Sequence, residues 1–337
     1  MIHKLYIKDR GTPEGRAEWL EERRKSLGGS DIGAALGLSK WRSPYAVWAE
    51  KCGLTPDEPD NEAMRQGRDL EEYVAERFAD LTGKKVRRVN AILRNDAYPH
   101  IHANIDRAVV GADEGLECKT ASALNTSRFR GAEFPTAYYT QCVTYLAVTG
   151  YRRWYLAVLI LGREFKVYQV TTVVGDEVPE WCAGSVYVGA EEFESLRDFA
   201  VRFWQYVETN TPPPVDGSAS TAETIETIFA QSDEDPAEDI DLTAVADKLS
   251  LLSGLKEEKE HIEAQIEEAQ NAVKAFMETA PRGIFVGADT ITTVTWKTQE
   301  RRTFDVKAFA KEHAGMDLTP YYKTSQSRPF KVTVKEN

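Results

Sequence analysis

The sequence predicts an α/β (α+β) protein with a central mixed sheet flanked by helices, followed by a long helix and a small α+β module. Residues 153–161 and 164–170 are apolar runs separated only by Gly162 and Arg163, which is typical of two adjacent buried strands. Residues 137–148 and 191–207 have the apolar spacing of packed helices. Strands and helices in this order favour about five mixed strands between helical layers.

The composition supports a globular protein and disfavours several other classes. Of 337 residues, 42% are hydrophobic, which is enough for a large core. There is no run of 18 or more apolar residues and no signal-peptide pattern, so we expect no membrane span and a cytoplasmic location. The cysteines are scattered, which suits a reducing compartment and argues against zinc or an iron–sulfur cluster; they are Cys52, Cys118, Cys142 and Cys182.

The net charge of −12 at first disfavours nucleic acid as a partner. The acid is unevenly distributed, however. Residues 1–130 hold 22 Lys/Arg against 21 Asp/Glu, whereas residues 211–337 hold 14 against 23. Any DNA contact must therefore be a local basic channel rather than a property of the whole surface.

Three segments are predicted along the chain: a domain at 1–210, an acidic linker at 211–241 and a C-terminal module at 242–337. The linker contains room for one short helix, near 223–229. The module begins with a long helix, 242–280, which is a coiled-coil arm, an oligomer contact or a helix packed on its own chain. Strands at 284–286, 290–297 and 330–334 and a helix at 305–313 complete it, and we expect it to serve assembly or partner binding.

The stretch from His102 to Ser122 is predicted to form a β-hairpin that carries chemistry. Its first strand contains Asp106, and its second places Glu117 and Lys119 on one face, because strand residues two apart point the same way. Two carboxylates and an ammonium on one patch form a hard-oxygen site for Mg²⁺ or Mn²⁺, with a lysine beside the water. The alternative is a solvated hairpin edge.

Two neighbouring helices offer further groups to this site. Glu71 is expected in the first turns of a helix that ends at Gly83, where the helix dipole favours a carboxylate. The segment 84–93, between this helix and the hairpin, is predicted as one strand. Gln141 is a polar residue on an otherwise buried helix, and the alternative is a core amide satisfied by the backbone.

In these residues the chain resembles the lambda-type exonucleases and YqaJ-like phage recombinases, a branch of the PD-(D/E)xK nuclease superfamily. The resemblance covers roughly residues 16–205. It rests on the segment GGSDIGAALGLSKWRSPY at 28–45, Gly67-x-x-x-Glu71, Asp106, Glu117-Cys-Lys119 and Gln141, in the family's order and spacing. One departure is Ile105-Asp106-Arg107, where the family often has Pro-Asp or Pro-Asp-Gly.

The resemblance implies a restriction-endonuclease-like core and a metal-dependent 5′→3′ exodeoxyribonuclease that acts on linear double-stranded DNA ends and leaves 3′ overhangs. It implies Mg²⁺ or Mn²⁺, two ions, held by Asp106, Glu117 and the Cys118 carbonyl, with Glu71 completing the set. Lys119 would orient or deprotonate the water, and Gln141 would support it. A homo-oligomeric ring, a single-strand annealing partner and a bacterial or phage-infected host cytosol are also implied. The alternatives are an endonuclease with the same residues and a non-catalytic DNA-binding assembly factor.

A second set of residues is predicted to contact DNA. The family's arginine–serine pair receives a 5′-phosphate, and Arg23 and Ser30 fit that role by spacing; the alternative is simple helix capping. Basic and aromatic residues also interleave before a predicted helix, although a packed loop corner would look the same. These further candidates are Lys40, Trp41, Arg42 and, in the loop after the hairpin, Arg128. The glycines at 28 and 29 do not form an ATP-binding Walker loop.

Overall fold

The computed structural model describes residues 1–6, 12–56, 61–230, 239–313, 316, 317 and 319–321. It divides into two compact units, Met1–Gln231 and Ser232–Asn337. The elements of the first unit are, in order, β1 (Ile2–Leu5), α1 (Pro13–Arg24), α2 (Gly29–Ala35), α3 (Pro44–Lys51), α4 (Glu62–Thr82), β2 (Val86–Arg88), β3 (Ile92–Asn95), β4 (His102–Ala103), β5 (Arg107–Val109), β6 (Glu114–Ala121), α5 (Thr136–Thr149), β7 (Arg153–Ile160), β8 (Glu164–Thr171), β9 (Cys182–Tyr187), α6 (Ala190–Glu208) and α7 (Ala219–Ile228).

The main sheet has six strands in the order β2-β5-β6-β7-β8-β9. The pairs β6–β7 and β8–β9 are parallel and the others antiparallel, so the sheet is mixed. A smaller sheet has the order β1-β3-β4. The prediction of one strand over 84–93 was wrong, because β2 pairs with β5 in the main sheet whereas β3 pairs with β1 in the small one.

Helices cover both faces of the main sheet. On one face, α4 buries Val74 and Phe78 against a cluster that includes Leu116, Tyr155 and Val167. On the other face, α5 is buried along most of its length; it packs beside α2 and contributes Cys142, Leu146 and Val148 to the larger core. The predicted fold class, a mixed sheet between helical layers with a long C-terminal helix, is confirmed.

The bounds of α4 correct one detail of the prediction. Asn61 caps the helix by accepting a hydrogen bond from the Met64 amide at 3.0 Å, and Gly83, with φ of +72°, ends it. Since the helix begins at Glu62, Glu71 lies in its third turn rather than in the first. The helix dipole therefore does not account for the position of this carboxylate, since the dipole acts within the terminal turns.

Part of the segment predicted as an acidic linker is helix α7 of the first unit. Its residue Ser220 accepts a hydrogen bond from the Ser43 amide at 3.0 Å, and the adjacent Thr221 is buried. Residues 231–238 of the predicted linker lie outside the described residues.

The second unit contains α8 (Ala246–Met277), β10 (Arg282–Val286), β11 (Ile291–Thr295) and α9 (Val306–Glu312). Strands β10 and β11 form an antiparallel pair. The third predicted strand of this module, at 330–334, lies outside the described residues. No helix in the described ranges is long and apolar enough to cross a membrane.

Candidate active site

The hairpin of β5 and β6 brings two carboxylates together. The strands pair antiparallel with Arg107 opposite Leu116, so Asp106, one residue before β5, reaches the level of Glu117. The Asp106 carboxylate is fixed there because its Oδ2 accepts a hydrogen bond from the Cys118 amide at 2.8 Å. The hairpin predicted from sequence therefore places its two acids as expected.

Glu117 is the centre of the cluster. Its Oε1 accepts hydrogen bonds from Lys119 Nζ at 2.5 Å and from Gln141 Nε2 at 2.7 Å. The residue is only 3% exposed, and its other carboxylate oxygen, Oε2, is buried without a hydrogen-bond partner. A buried carboxylate oxygen without a partner is energetically costly, and a cation is the ligand that would satisfy it best.

Gln141 makes a second side-chain hydrogen bond, to Tyr145. Its Nε2 also donates to Tyr145 Oη at 2.7 Å, because residues four apart lie on one face of α5. The tyrosine in turn packs on the backbone at Gly29, where an added Cβ would lie 2.7 Å from Tyr145 Cε1. Gln141 thus bonds a catalytic candidate instead of the backbone. Sequence reasoning missed Tyr145, although its position one turn after Gln141 was a usable signal.

The charges in the cluster shift its pKa values. Burial raises the pKa of Asp106 well above its usual value, and the nearby Glu117 and Glu71 raise it further, against the opposing effect of Lys119. Burial lowers the pKa of Lys119, but Glu117 and Asp106 outweigh this and the net shift is upward. This shift favours the ammonium form of Lys119, which can donate a hydrogen bond to a water.

Glu71 reaches the site through Arg107. The guanidinium of Arg107 is 2% exposed; its Nη1 donates to Glu71 Oε1 and, at 2.9 Å, to the Asp106 carbonyl, and its Nη2 donates to Glu72 Oε2 at 3.1 Å. This arginine ties α4 to the hairpin. It was noted in the sequence only as a departure from a motif, yet an arginine inside an apolar strand was a signal that a buried acid lies nearby.

The donor set fits a hard divalent cation. Two neighbouring carboxylates, one with an unbonded buried oxygen, suit Mg²⁺ or Mn²⁺. Burial raises the pKa of the Cys118 thiol, so this residue has only its carbonyl to offer a hard cation. Within the described residues no group of three or more His, Cys, Asp or Glu side chains is arranged to hold a metal. Glu71 forms an ion pair with Arg107.

The predicted phosphate-binding pair lies around α2. Ser30 is exposed in the first turn of this helix, and Arg23 is half-buried with its guanidinium 4.6 Å from the centre of the Trp19 ring. The glycines before Ser30 let the backbone approach its surroundings closely, since an added Cβ at Gly28 would lie 3.0 Å from the His102 ring. The same loop contacts Tyr145 at Gly29. Tyr145 is hydrogen-bonded to Gln141, which in turn donates to Glu117.

The remaining DNA-contact candidates differ in their exposure and in the ion pairs that they form. Trp41 is 80% exposed with Lys40 Nζ 5.1 Å from its ring centre, and Arg128 is exposed at the end of a 3₁₀ helix that follows β6, Ala123–Arg128. Arg42 is different, because it forms ion pairs with Glu50 and, at 2.6 Å, with the fully buried Asp31. Its charge is already neutralised, so it is the weakest candidate for a phosphate contact.

Asp31 is the centre of a separate buried network. Lys51 Nζ lies 2.7 Å from its Oδ2, and the Gly28 amide donates to the same oxygen at 2.8 Å. Burial alone would raise the pKa of Asp31, but Lys51 and Arg42 hold it well below its usual value. The network fixes the backbone of the Gly28 loop next to the candidate active site.

Comparison with known proteins places the site within a recognised domain. A family model described as the YqaJ-like viral recombinase domain matches residues 18–152, a range that contains Asp106, Glu117, Lys119 and Gln141. The chain is 37% identical over 281 residues to the uncharacterised protein YqaJ of Bacillus subtilis (strain 168), covering 81% of each.

Two solved structures are also similar to this chain. The alkaline exonuclease LHK-Exo of Laribacter hongkongensis has a TM-score of 0.46 and 17% identity, covering 58% of this chain and 94% of that one. A phage-related exonuclease of Haemophilus somnus 129PT has a TM-score of 0.37 and 10% identity, covering 55% of this chain and 96% of that one.

Proposed function

The chain belongs to the YqaJ-like viral recombinase domain family, and from that premise we propose that it is a metal-dependent deoxyribonuclease that digests linear double-stranded DNA from its ends. The observation that carries the proposal is Glu117. Its one oxygen is held by Lys119 and Gln141, and its other oxygen is buried and unbonded beside Asp106. No group among the described residues bonds this second oxygen, and a bound cation would satisfy it.

The chain's own residues have separate tasks in this proposal. Asp106, Glu117 and the Cys118 carbonyl would hold one Mg²⁺ or Mn²⁺, and Glu71 would complete the set or bridge to a second ion. When bound, such ions polarise the scissile phosphate and stabilise charge on the leaving oxygen. Gln141 holds the Glu117 carboxylate in place.

Lys119 is assigned the role of orienting the attacking water. Its raised pKa favours the ammonium form, which would donate a hydrogen bond to the water or to a phosphate oxygen; the alternative role is to deprotonate that water. The ammonium also offsets the charge of the two carboxylates, since it lies 2.5 Å from Glu117 Oε1.

The DNA end would be received at the Gly28 loop. In the proposal Ser30 and Arg23 bind a 5′-phosphate, which fits an exposed hydroxyl on a loop that packs against Tyr145. Trp41, Lys40 and Arg128, all exposed, would contact the strand by stacking and charge. Arg42 would act through Asp31, by holding the loop.

The family likeness extends the proposal to the finer features of the reaction. These are 5′→3′ polarity, 3′ single-stranded overhangs as products, a homo-oligomeric ring around the DNA and a single-strand annealing protein as partner. A ring is consistent with the net charge of −12, since only its inner wall needs to be basic.

The test is the release of acid-soluble nucleotide from linear duplex DNA that carries a 5′-phosphate, with Mg²⁺ or with EDTA. We expect digestion that needs the metal and falls by about 10²-fold or more in Lys119→Ala and Glu117→Gln, because both remove a group from the reacting centre. Lys85→Ala is the matched control, because Lys85 is exposed in the loop just before β2; this variant should digest DNA normally.

A closed circular duplex in the same assay separates the alternatives. Circular DNA that stays intact while linear DNA disappears supports end-dependent digestion. Cutting of the circle would move the assignment to an endonuclease, which uses the same residues. DNA binding without cleavage of either substrate would show a non-catalytic assembly factor and overturn the proposal.

A further inference from the structure

Helix α8 of the second unit carries a seam of mainly apolar residues that is interrupted by one lysine. The helix has 32 residues, which corresponds to about 48 Å. Its seam residues follow alternating spacings of three and four, the heptad pattern of a coiled coil. They are Leu252, Leu255, Lys259, Ile262, Ile266, Ala269, Val273 and Phe276.

The seam is open to water in the part of the chain that the structure describes. Leu255 is 52% exposed, Ile262 45% and Ile266 51%, whereas an interior residue would be nearly inaccessible. A row of large apolar side chains along one side of a long helix is a surface for another helix. The seam therefore indicates an interface.

We propose that α8 pairs antiparallel with α8 of a second copy of this chain, around a two-fold axis between residues 260 and 261. In this register Leu255 lies opposite Ile266, and Leu252 lies opposite the small Ala269, so side-chain volumes are complementary across the interface. The axis lies within one residue of the middle of α8, so the two helices overlap over nearly their whole length. The seam residues from Leu252 to Ala269 face one another, and Val273 lies opposite Lys248.

The charges beside the seam select this direction and register. Lys256 and Glu263 flank the seam on the same side, and in the proposed register each faces the other across the interface, twice by symmetry. A shift by one heptad would instead place Lys256 opposite Lys256 or Glu263 opposite Glu263. The opposite charges meet only in the register that also pairs the full helix.

A parallel pair is disfavoured by the same residues. It would set Glu258 against Glu263 on both sides and place two Lys259 side chains together inside the seam. In the antiparallel pair Lys259 faces Ile262, and its ammonium already turns to the flank, 3.5 Å from Glu263 of its own helix. One lysine in each seam is then accommodated by extending to water.

The test is the self-association of the full-length chain, followed by sedimentation equilibrium over a range of protein concentrations. Lys256→Glu and Glu263→Lys should each weaken the dimer by about tenfold, because each turns two attractions into two repulsions. The double variant, Lys256→Glu with Glu263→Lys, should restore association, since the charges are exchanged and not lost.

Glu257→Lys is the matched control, because residue 257 lies on the side of α8 away from the seam; it should associate as the wild type does. Circular dichroism checks that each variant keeps its helix. Stronger association of Glu263→Lys would show a parallel pair and overturn the proposal. Equal association of both single variants and the wild type would overturn it as well, and would mean that another protein or another part of the chain covers the seam.

Discussion

At the scale of single residues, the site holds two carboxylates side by side, and one of them, Glu117, is buried. Asp106 and Glu117 lie at one level of the hairpin, and the raised pKa of Asp106 records both burial and repulsion. Lys119 opposes this effect, but the net pKa shift of Asp106 is still upward, so part of the repulsion remains in the metal-free protein. The same arrangement that suits a metal therefore weakens the metal-free protein.

Asp106→Asn should stabilise the metal-free protein while it abolishes cleavage. Because the folded pKa of Asp106 is raised, the stability linked to this carboxyl is present below its unfolded pKa and is lost as pH rises through the folded pKa. A tenfold change in the proton affinity of a carboxyl corresponds to about 1.4 kcal/mol of stability. Urea unfolding in EDTA should therefore show a higher free energy of unfolding for the variant at pH 7.5 and no gain near pH 4.

Asp80→Asn, at an exposed position of α4, is the control for this experiment, and its stability should change by less than about 0.5 kcal/mol. Added Mg²⁺ should raise the stability of the wild type but not of Asp106→Asn, because the variant loses a metal ligand. A variant that is less stable than the wild type in EDTA at pH 7.5 would contradict the account of repulsion.

The residues of this site could be found from sequence to different degrees. Spacing along two strands was enough for Asp106, Glu117 and Lys119, because a hairpin dictates which side chains are neighbours. The role of Arg107 could not be found in this way. Its contact with Glu71 joins a helix to a strand 36 positions later, and only the packing of α4 on the sheet brings them together.

At the scale of elements, β6 packs so closely against β7 at Gly115 that there is no room for a side chain at this position. Gly115 pairs with Trp154 of β7, and an added Cβ would lie 2.3 Å from the indole ring. Trp154 is fully buried and also packs on Tyr145, with ring centres 4.9 Å apart. The strand that carries Glu117 and Lys119 is thus positioned by an aromatic ring that occupies the space of a missing side chain.

Gly115→Ala should destabilise the first unit by about 1–3 kcal/mol, because the indole ring must move within a packed core. Urea unfolding measures the change. Gly67→Ala is the matched control: Gly67 lies inside α4 with open space around it, so alanine should raise stability by up to about 1 kcal/mol through helix propensity. Equal effects of the two substitutions on the free energy of unfolding would show that the Trp154 ring moves aside without a loss of stability.

Element boundaries were predicted best where local chemistry defines them. The glycine after α4 and the glycine-arginine turn between β7 and β8 mark their ends in the sequence itself. The segment 84–93 was misread because its residues suit a strand throughout. Which of two sheets each half joins depends on β1 and β5, which lie far away along the chain.

At the scale of the whole molecule, the proposed chemistry and the proposed assembly lie in different units. Every residue of the candidate active site precedes residue 231, and the seam of α8 follows it. The similarity to the Bacillus subtilis protein covers 81% of the chain, which is more than the first unit contains, so it extends into the second. Part of the second unit is therefore shared with this relative.

A chain that ends at residue 231 should keep metal-dependent digestion of linear DNA and lose the association that depends on α8. Nucleotide release and sedimentation equilibrium check the two parts separately. Circular dichroism and a cooperative melt serve as the control for folding. A truncated chain that folds but does not digest DNA would show that the second unit contributes to the reaction.

The parallel pairing of β6 with β7 has a consequence for how the protein folds. Glu114 pairs with Arg153, 39 positions later, and the intervening chain must first cross over through α5. Closing such a loop delays strand pairing, so this part of the sheet should form late on the folding pathway. Glu117 lies on the first strand and Gln141 on the crossing helix, so their hydrogen bond joins two segments of this same crossover. An incompletely folded chain would then lack the assembled candidate site, and a nascent chain would gain it only after α5 has been synthesised.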